Sequence, residues 1–229
     1  SFPRIRGTTS VEVRRMRGFF RDSLLGEDGL LNYQSITRQM KETEIDMERF
    51  EKIVADNQTH FDAINKICVD SGEPVEGNCF FQHCQLGKVV ETKWKQLNLY
   101  WMARFSKNIM EIGFNAGHSC LLFLLANAES KITLFDLCEH RYTRSCFEYL
   151  DNAFPNRLTL IPGNSNKTVP EYTATFGYET FDLVHVDGGH LEIVADCDFR
   201  NILPLASRII ILDDTNFNHL NDLFCGYLK

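Results

Sequence analysis

Apolar residues recur along this chain with two different rhythms, and the change between them divides it. Over 43–69, Met47, Phe50, Val54, Phe61, Ile64 and Cys68 return at three, four or seven residues, the stripe of an amphipathic helix. Gly72, Pro74 and Gly77 then break the pattern into a loop. A second helix is expected over 87–105, with Val90, Trp94, Leu97, Trp101 and Phe105 on one face. Upstream, residues 1–32 hold no sustained period; Gly26, Gly29 and the mixed charges point to short helical pieces and turns.

Beyond residue 105 the rhythm shortens. Ile/Leu/Val-rich runs at 108–112, 131–136, 157–161, 181–187 and 207–213 read as strands, and amphipathic stretches at 118–127, 142–153, 168–174 and 191–202 as the helices between them. Nearly continuous apolar strands separated by helices are the signature of a parallel sheet covered on both faces. The expected fold class is therefore α/β, a doubly wound, mostly parallel sheet in residues 106–229, with residues 1–105 as an N-terminal helical extension packed against it.

The first strand runs into Glu111-Ile-Gly113-Phe-Asn115-Ala-Gly117-His-Ser119, followed by the apolar run 120–126. Gly113 and Gly117 allow a sharp turn and a close approach to a ligand, and a helix opening near Ser119 presents unpaired N–H groups. The Gly-x-x-x-Gly spacing is neither the Gly-x-Gly-x-x-Gly of dinucleotide sites nor a phosphate-binding loop ending in Gly-Lys-Ser/Thr. An ordinary strand-to-helix connection stays open for this segment alone.

Every strand of the α/β part ends in a polar residue: Glu111, Asp136, the Gly163-Asn164-Ser165 turn, Asp187, and Asp213-Asp214. A parallel sheet brings these to one edge, where open α/β sheets bind ligands. Carboxylates gathered there must be solvated, paired or coordinating. Asp136 can accept from both hydroxyls of a ribose, or cap a helix. Asn164 and Ser165 can bond an adenine edge, or merely close a turn. Asp187, Asp213 and Asp214 form an all-oxygen set suited to Mg²⁺ or a similar hard cation. His190, past the glycine turn of Val186-Asp187-Gly-Gly-His190, suits a general base. Two alternatives remain for these residues, a zinc-type set of His185, Asp187 and His190, or His190 as a helix cap. His185, inside its strand, reads as a satisfied core histidine.

Composition narrows the classes. A net charge of −7 argues against a generic nucleic-acid surface. Six arginines within the first 21 residues read as a solvated segment or linker rather than a binding arm. Eight cysteines without a Cys-x-x-Cys pair look like reduced cytosolic thiols, and no run approaches a membrane helix, so a cytoplasmic protein with no membrane partner is expected.

Taken together, Glu111-Ile-Gly113-Phe-Asn-Ala-Gly117-His-Ser119, Phe135-Asp136, Gly163-Asn-Ser165, Val186-Asp187-Gly-Gly-His190 and Asp213-Asp214 resemble the class I S-adenosylmethionine-dependent methyltransferases. Within them the chain is similar to the metal-dependent O-methyltransferases, the branch of the catechol and macrolide-sugar enzymes. The resemblance covers about residues 80–216 and implies a Rossmann-like fold. It implies that Glu111, Gly113, Asn115 and Ser119, in the loop that includes Gly117, hold the methionine part of S-adenosylmethionine, with Asp187 beside it. Asp136 would hold the ribose, Asn164 and Ser165 the adenine side, and Asp187, Asp213 and Asp214 the Mg²⁺. His190 stands where the catechol enzymes carry a catalytic Lys, as in the sugar enzymes. Gln85-Leu86-Gly87 resembles the loop that closes over the cofactor. The family sheet continues through two further strands, whereas 15 residues follow Asp214, and the chain starts at Ser1 without Met; both suggest one domain cut from a larger protein.

The resulting expectation is an Mg²⁺-assisted O-methyltransferase acting on a hydroxyl of a sugar, a small molecule or part of a glycan, with S-adenosylhomocysteine as product. The N-terminal helices would cover the cofactor or form a homodimer surface. The rivals are a catechol-like enzyme for small aromatics, a nicotinamide-dependent oxidoreductase or epimerase, and a non-catalytic binding module.

Overall fold

The computed structural model describes residues 12–14, 47–81, 93–178, 181–214 and 217–227, with only the backbone of 12–14 and 227. The Gln85-Leu86-Gly87 segment lies outside the described residues. Strands β1 (Glu12–Arg14), β2 (Asn108–Ile112), β3 (Lys131–Asp136), β4 (Leu158–Pro162), β5 (Phe181–Val186) and β6 (Ala206–Leu212) form a sheet in the order β1-β6-β5-β2-β3-β4. β2 to β6 pair in parallel and β1 joins β6 antiparallel. The helices are α1 (Met47–Asp56), α2 (Gln58–Asp70), α3 (Lys93–Ala103), α4 (His118–Ala126), α5 (Thr143–Ala153), α6 (Ser165–Phe176), α7 (Glu192–Ile202) and α8 (Asn218–Tyr227).

Side-chain alternation along the strands sorts the core into two layers. Ile109, Ile132, Leu134, Leu183, Ile209 and Ile211 pack toward α1 to α5, while Met110, Ile112, Phe135, Val184, Val186 and Leu212 pack toward α6, α7 and α8. The sheet is thus covered on both faces, as its apolar strands require. The same alternation decides where the polar strand ends go. Glu111 shares the parity of Ile109, and His185 that of Leu183, so both are carried to the face of the N-terminal helices.

Three elements depart from the sequence expectation. The single helix over 43–69 is two, α1 and α2, broken at Asn57, whose side-chain amide donates to the Ile53 carbonyl at 2.9 Å. A side chain that competes for a helix carbonyl interrupts the ladder there. The stripe itself crosses the break intact, since Phe50, Val54, Phe61, Ile64 and Cys68 are all buried. α3 buries Gln96, Leu97, Leu99, Tyr100 and Ala103, whereas Trp94 is 48% exposed. Its inward face includes polar side chains, which a search for apolar spacing passes over; the Gln96 amide donates to the Cys79 carbonyl at 2.8 Å. Third, β1 lies in a region read as turns and short helices, and α8 follows the last strand.

Candidate active site

Each parallel strand passes its ladder one residue beyond its end, which holds the polar residues in a common row. The N–H of Gly113 donates to Phe135 O (2.8 Å), that of Asp187 to Ile112 O (2.9 Å), that of Asp213 to Val186 O (3.0 Å) and that of Gly163 to Asp136 O (2.8 Å). Gly113 takes φ +92, and a Cβ there would lie 1.9 Å from the Asp187 carbonyl oxygen. Only glycine lets the loop after β2 pass so close to the end of β5. Gly117, at φ +83, precedes α4; a Cβ would strike the Phe114 ring at 2.6 Å.

Glu111 is fully buried and is the hub of this row. Its Oε1 accepts from Ser119 Oγ at 2.5 Å and meets His185 Nδ1 at 2.9 Å, while its Oε2 has no hydrogen-bond partner. His185 is therefore more than a packed core histidine. Its Nε2 faces Asp213 Oδ2 at 3.8 Å, beyond hydrogen-bond reach, so that one ring stands between two carboxylates. Burial works against the charged ring, but Asp213 and Glu111 lift its pKa to about 10.

Around the glycine loop, Asp136 receives backbone donors on both oxygens, from Asn115 N–H at 2.8 Å and Cys138 N–H at 2.6 Å. Each oxygen keeps a lone pair for a further donor. Asn115 donates its amide to Glu76 (2.9 Å), and its buried Oδ1 is unpartnered. Glu73 and Glu76 grip His140: Nδ1 meets Glu73 at 2.9 Å, Nε2 meets Glu76 at 3.3 Å, and Arg141 N–H donates to Glu73 at 2.8 Å. The segment after α2 is thereby strapped to the loop after β3. Asn164 caps α6 by accepting from Asn166 N–H, a structural role at the turn for which the sequence allows an adenine contact or a simple turn, and Ser165 lies beside the buried Asp198.

On the other side of Glu111, Asp187, Asp213 and Asp214 converge. Two overlapping sets of ligand atoms arise, His185–Asp187–Asp213 and Asp187–His190–Asp214, each within 4.8 Å. His185 and His190 fall in different sets, against a single zinc-type group. His190 Nε2 lies 2.7 Å from Asp214 Oδ2, and this contact raises its pKa despite burial. The N-cap of α7 is Leu191, so His190 is not the cap. Its carbonyl accepts from His219 Nε2 at 2.9 Å, and its ring stands 5.5 Å from that of Phe217. Burial and the adjacent Asp213 push the Asp187 carboxyl up to about 7, and among the described residues no hydrogen bond or ion pair reaches it. A carboxylate in that state, in an oxygen-rich set, fits a hard divalent cation.

Lys95 of α3 escaped the sequence reading altogether. Its side chain is 10% exposed and ion-pairs with Asp213. Burial alone would depress the ammonium, but Asp213 and Asp187 hold its pKa above the ordinary lysine range. Asp213, penalised by burial, is held well below the carboxylate range by His185 and Lys95. A lysine among Trp, Gln and Leu carries no motif; only the fold brings it to the sheet edge.

A family described as a methyltransferase domain matches residues 110–215, from β2 to just past Asp214, the stretch that builds this row. Residues 110–215 thus carry a methyltransferase domain, and the chain is accordingly an enzyme. Solved structures share the fold. A TDP-rhamnose 3'-O-methyltransferase of calicheamicin biosynthesis is 22% identical, with a TM-score of 0.50 over 59% of this chain and 68% of its own. An O-methyltransferase from Bacillus cereus, solved with S-adenosylhomocysteine, is 17% identical, with a TM-score of 0.54 over 74% and 77%. A cofactor-bound protein from MTB, Rv0187, is 13% identical, with a TM-score of 0.55 over 80% and 85%. No curated protein sequence matches the chain. Within this methyltransferase, the unpartnered acceptors Glu111 Oε2 and Asn115 Oδ1, beside glycines that admit no side chain, fit the cofactor loop.

Proposed function

We propose that the methyltransferase acts on a hydroxyl, that of a sugar, with His190 as general base and a divalent cation such as Mg²⁺ at the carboxylate row. The observation that carries this reading is the convergence of Asp187, Asp214 and His190 at the sheet edge that also bears the Glu111–Ser119 loop. Glu111, Gly113, Asn115, Gly117 and Ser119 would hold the methionine part of S-adenosylmethionine, Asp136 the ribose, and Asn164 and Ser165 the adenine side. When bound, the cofactor supplies an electrophilic methyl group. Asp187 and Asp214, with Asp213 behind them, would hold the cation, which when bound lowers the pKa of a neighbouring hydroxyl.

The chain's own part follows from these positions. His190, oriented through Asp214, would take the hydroxyl proton and leave the acceptor oxygen nucleophilic toward the methyl group that the cofactor would supply. The Phe217 ring beside His190 offers a flat apolar wall for one face of the acceptor. Rigid strand ends fix donor and acceptor sites relative to each other, and proximity supplies much of the rate. The sugar acceptor agrees with the rhamnose-acting structure of similar fold. A catechol-like small aromatic is the second reading, favoured by the same Phe217 wall.

Calorimetric titration of S-adenosylhomocysteine and of NAD⁺, with and without Mg²⁺, tests the cofactor. S-adenosylhomocysteine is expected to bind and NAD⁺ not; the reverse would overturn the assignment. Transfer of labelled methyl is then expected to nucleotide-linked deoxysugars, with loss of nearly all turnover in His190→Ala. Transfer to catechols alone would select the second reading.

A further inference from the structure

The carboxylate row contains more acid than a single cation needs, and one of its members is already engaged. Asp213 Oδ1 accepts from Asp214 N–H at 2.8 Å, and Oδ2 is ion-paired with Lys95, whose side chain is nine-tenths buried. His185 closes the same pocket from the strand side, its buried Nε2 3.8 Å from that oxygen and without a hydrogen-bond partner. The inner set, His185–Asp187–Asp213, thus already contains a fixed ammonium. Among the described residues of the outer set, Asp187–His190–Asp214, the Asp187 carboxylate has no hydrogen-bond or ion-pair partner, and the Asp214 carboxylate meets the half-exposed His190.

We propose that Lys95 is the resident cation of the inner set, so that Asp213 serves as a positioning residue and the divalent ion binds in the outer set through Asp187 and Asp214. The inference rests on the metal-assisted reading above. Two cations in sets that share Asp187 would lie close enough to repel strongly where water is scarce. The ammonium is tethered by a helix and permanently present, whereas the ion must be captured from solution. The ion therefore settles where the tethered charge is not. Lys95 also links α3 to the sheet edge, so the geometry of Asp213, and through it the Asp214 backbone, depends on the N-terminal layer.

The test is Mn²⁺ binding to the whole chain, followed by electron paramagnetic resonance, with S-adenosylhomocysteine affinity as a check on folding. The double variant Lys95→Met/Asp213→Leu removes both charges together and leaves no ligand oxygen on the side chain at 213, which avoids stranding either charge in a buried site. It is expected to retain Mn²⁺ affinity close to that of the parent protein. Asp214→Gly, which removes a direct ligand and suits the left-handed backbone there, is expected to weaken Mn²⁺ by more than about tenfold. Lys95→Met alone frees Asp213 and is expected to tighten Mn²⁺ binding or admit a second ion. Loss of Mn²⁺ binding in the double variant as large as in Asp214→Gly would make Asp213 a ligand and overturn the inference while leaving the metal-assisted reading in place. A parent protein that bound S-adenosylhomocysteine but no Mn²⁺ would overturn both.

Discussion

At the scale of single residues, the tightest constraint on the site is the absence of a side chain at position 113. Its missing Cβ makes room for the Asp187 carbonyl, so the loop after β2 and the first acid of the carboxylate row share one point of contact. Gly113→Ala combines a strained positive φ with a collision against backbone that cannot step aside, and about 3 kcal/mol or more of stability should be lost. Gly72 makes the comparison sharp. At φ +68, with nothing within 4 Å of a built Cβ, Gly72→Ala should cost only about 1 kcal/mol. Chemical denaturation of the two variants checks this, and equal losses would mean that the loop can move away from Asp187.

Among the elements, the segment between α2 and residue 81 depends on a charge arrangement that pH can undo. Both ring nitrogens of His140 face carboxylates, which needs the doubly protonated ring. Burial opposes that charge, but Glu73 and Glu76 raise the pKa above its usual 6.5, so the contribution is complete below 6.5 and lost as pH climbs through the raised value. Glu73 is lowered from 4.5, chiefly by the Arg141 N–H and then by His140, so its share is present above 4.5 and lost as pH falls through the lowered value. Amide protection factors in 71–78 should therefore be highest between about pH 4.5 and 6.5 and decline in mild alkali, with His140→Gln flattening the profile. A flat profile in the parent protein would show that the strap is held by something other than charge. Neither glutamate was visible from sequence, because Glu73 and Glu76 sit in a loop with no period. The sheet was legible for the opposite reason: strands covered by helices on both faces are largely apolar, and their polar terminal residues stand out. α3 was half legible, since its inward Lys95 and Gln96 look like surface residues until the carbonyl and the carboxylate they serve are in place.

For the molecule as a whole, the helical layer and the glycine loop after β2 are joined through His118, the first residue of α4. Its Nε2 contacts Asn65 of α2 at 2.8 Å, and its ring packs against Phe80 and Phe81. Burial lowers its pKa to about 3, so the folded protein holds it neutral while the unfolded chain protonates it near 6.5. Its contribution is present above 6.5 and drains away as pH falls toward 3, amounting to about 2 kcal/mol between pH 7 and pH 5. Thermal or urea unfolding across that range should show the loss, and His118→Gln should reduce its slope; an unchanged slope would assign the acid sensitivity to other groups.

The pairing of β1 with β6 bears on the order in which the molecule is made. Glu12 meets Leu212, so the two partners are 200 residues apart in the chain. Closing so long a loop is slow and is rewarded only once its partner strand exists. Among the described strands, the one that comes first in the chain is therefore the last to dock, and until it does the outer edge of β6 offers its unpaired backbone groups to any other extended segment nearby.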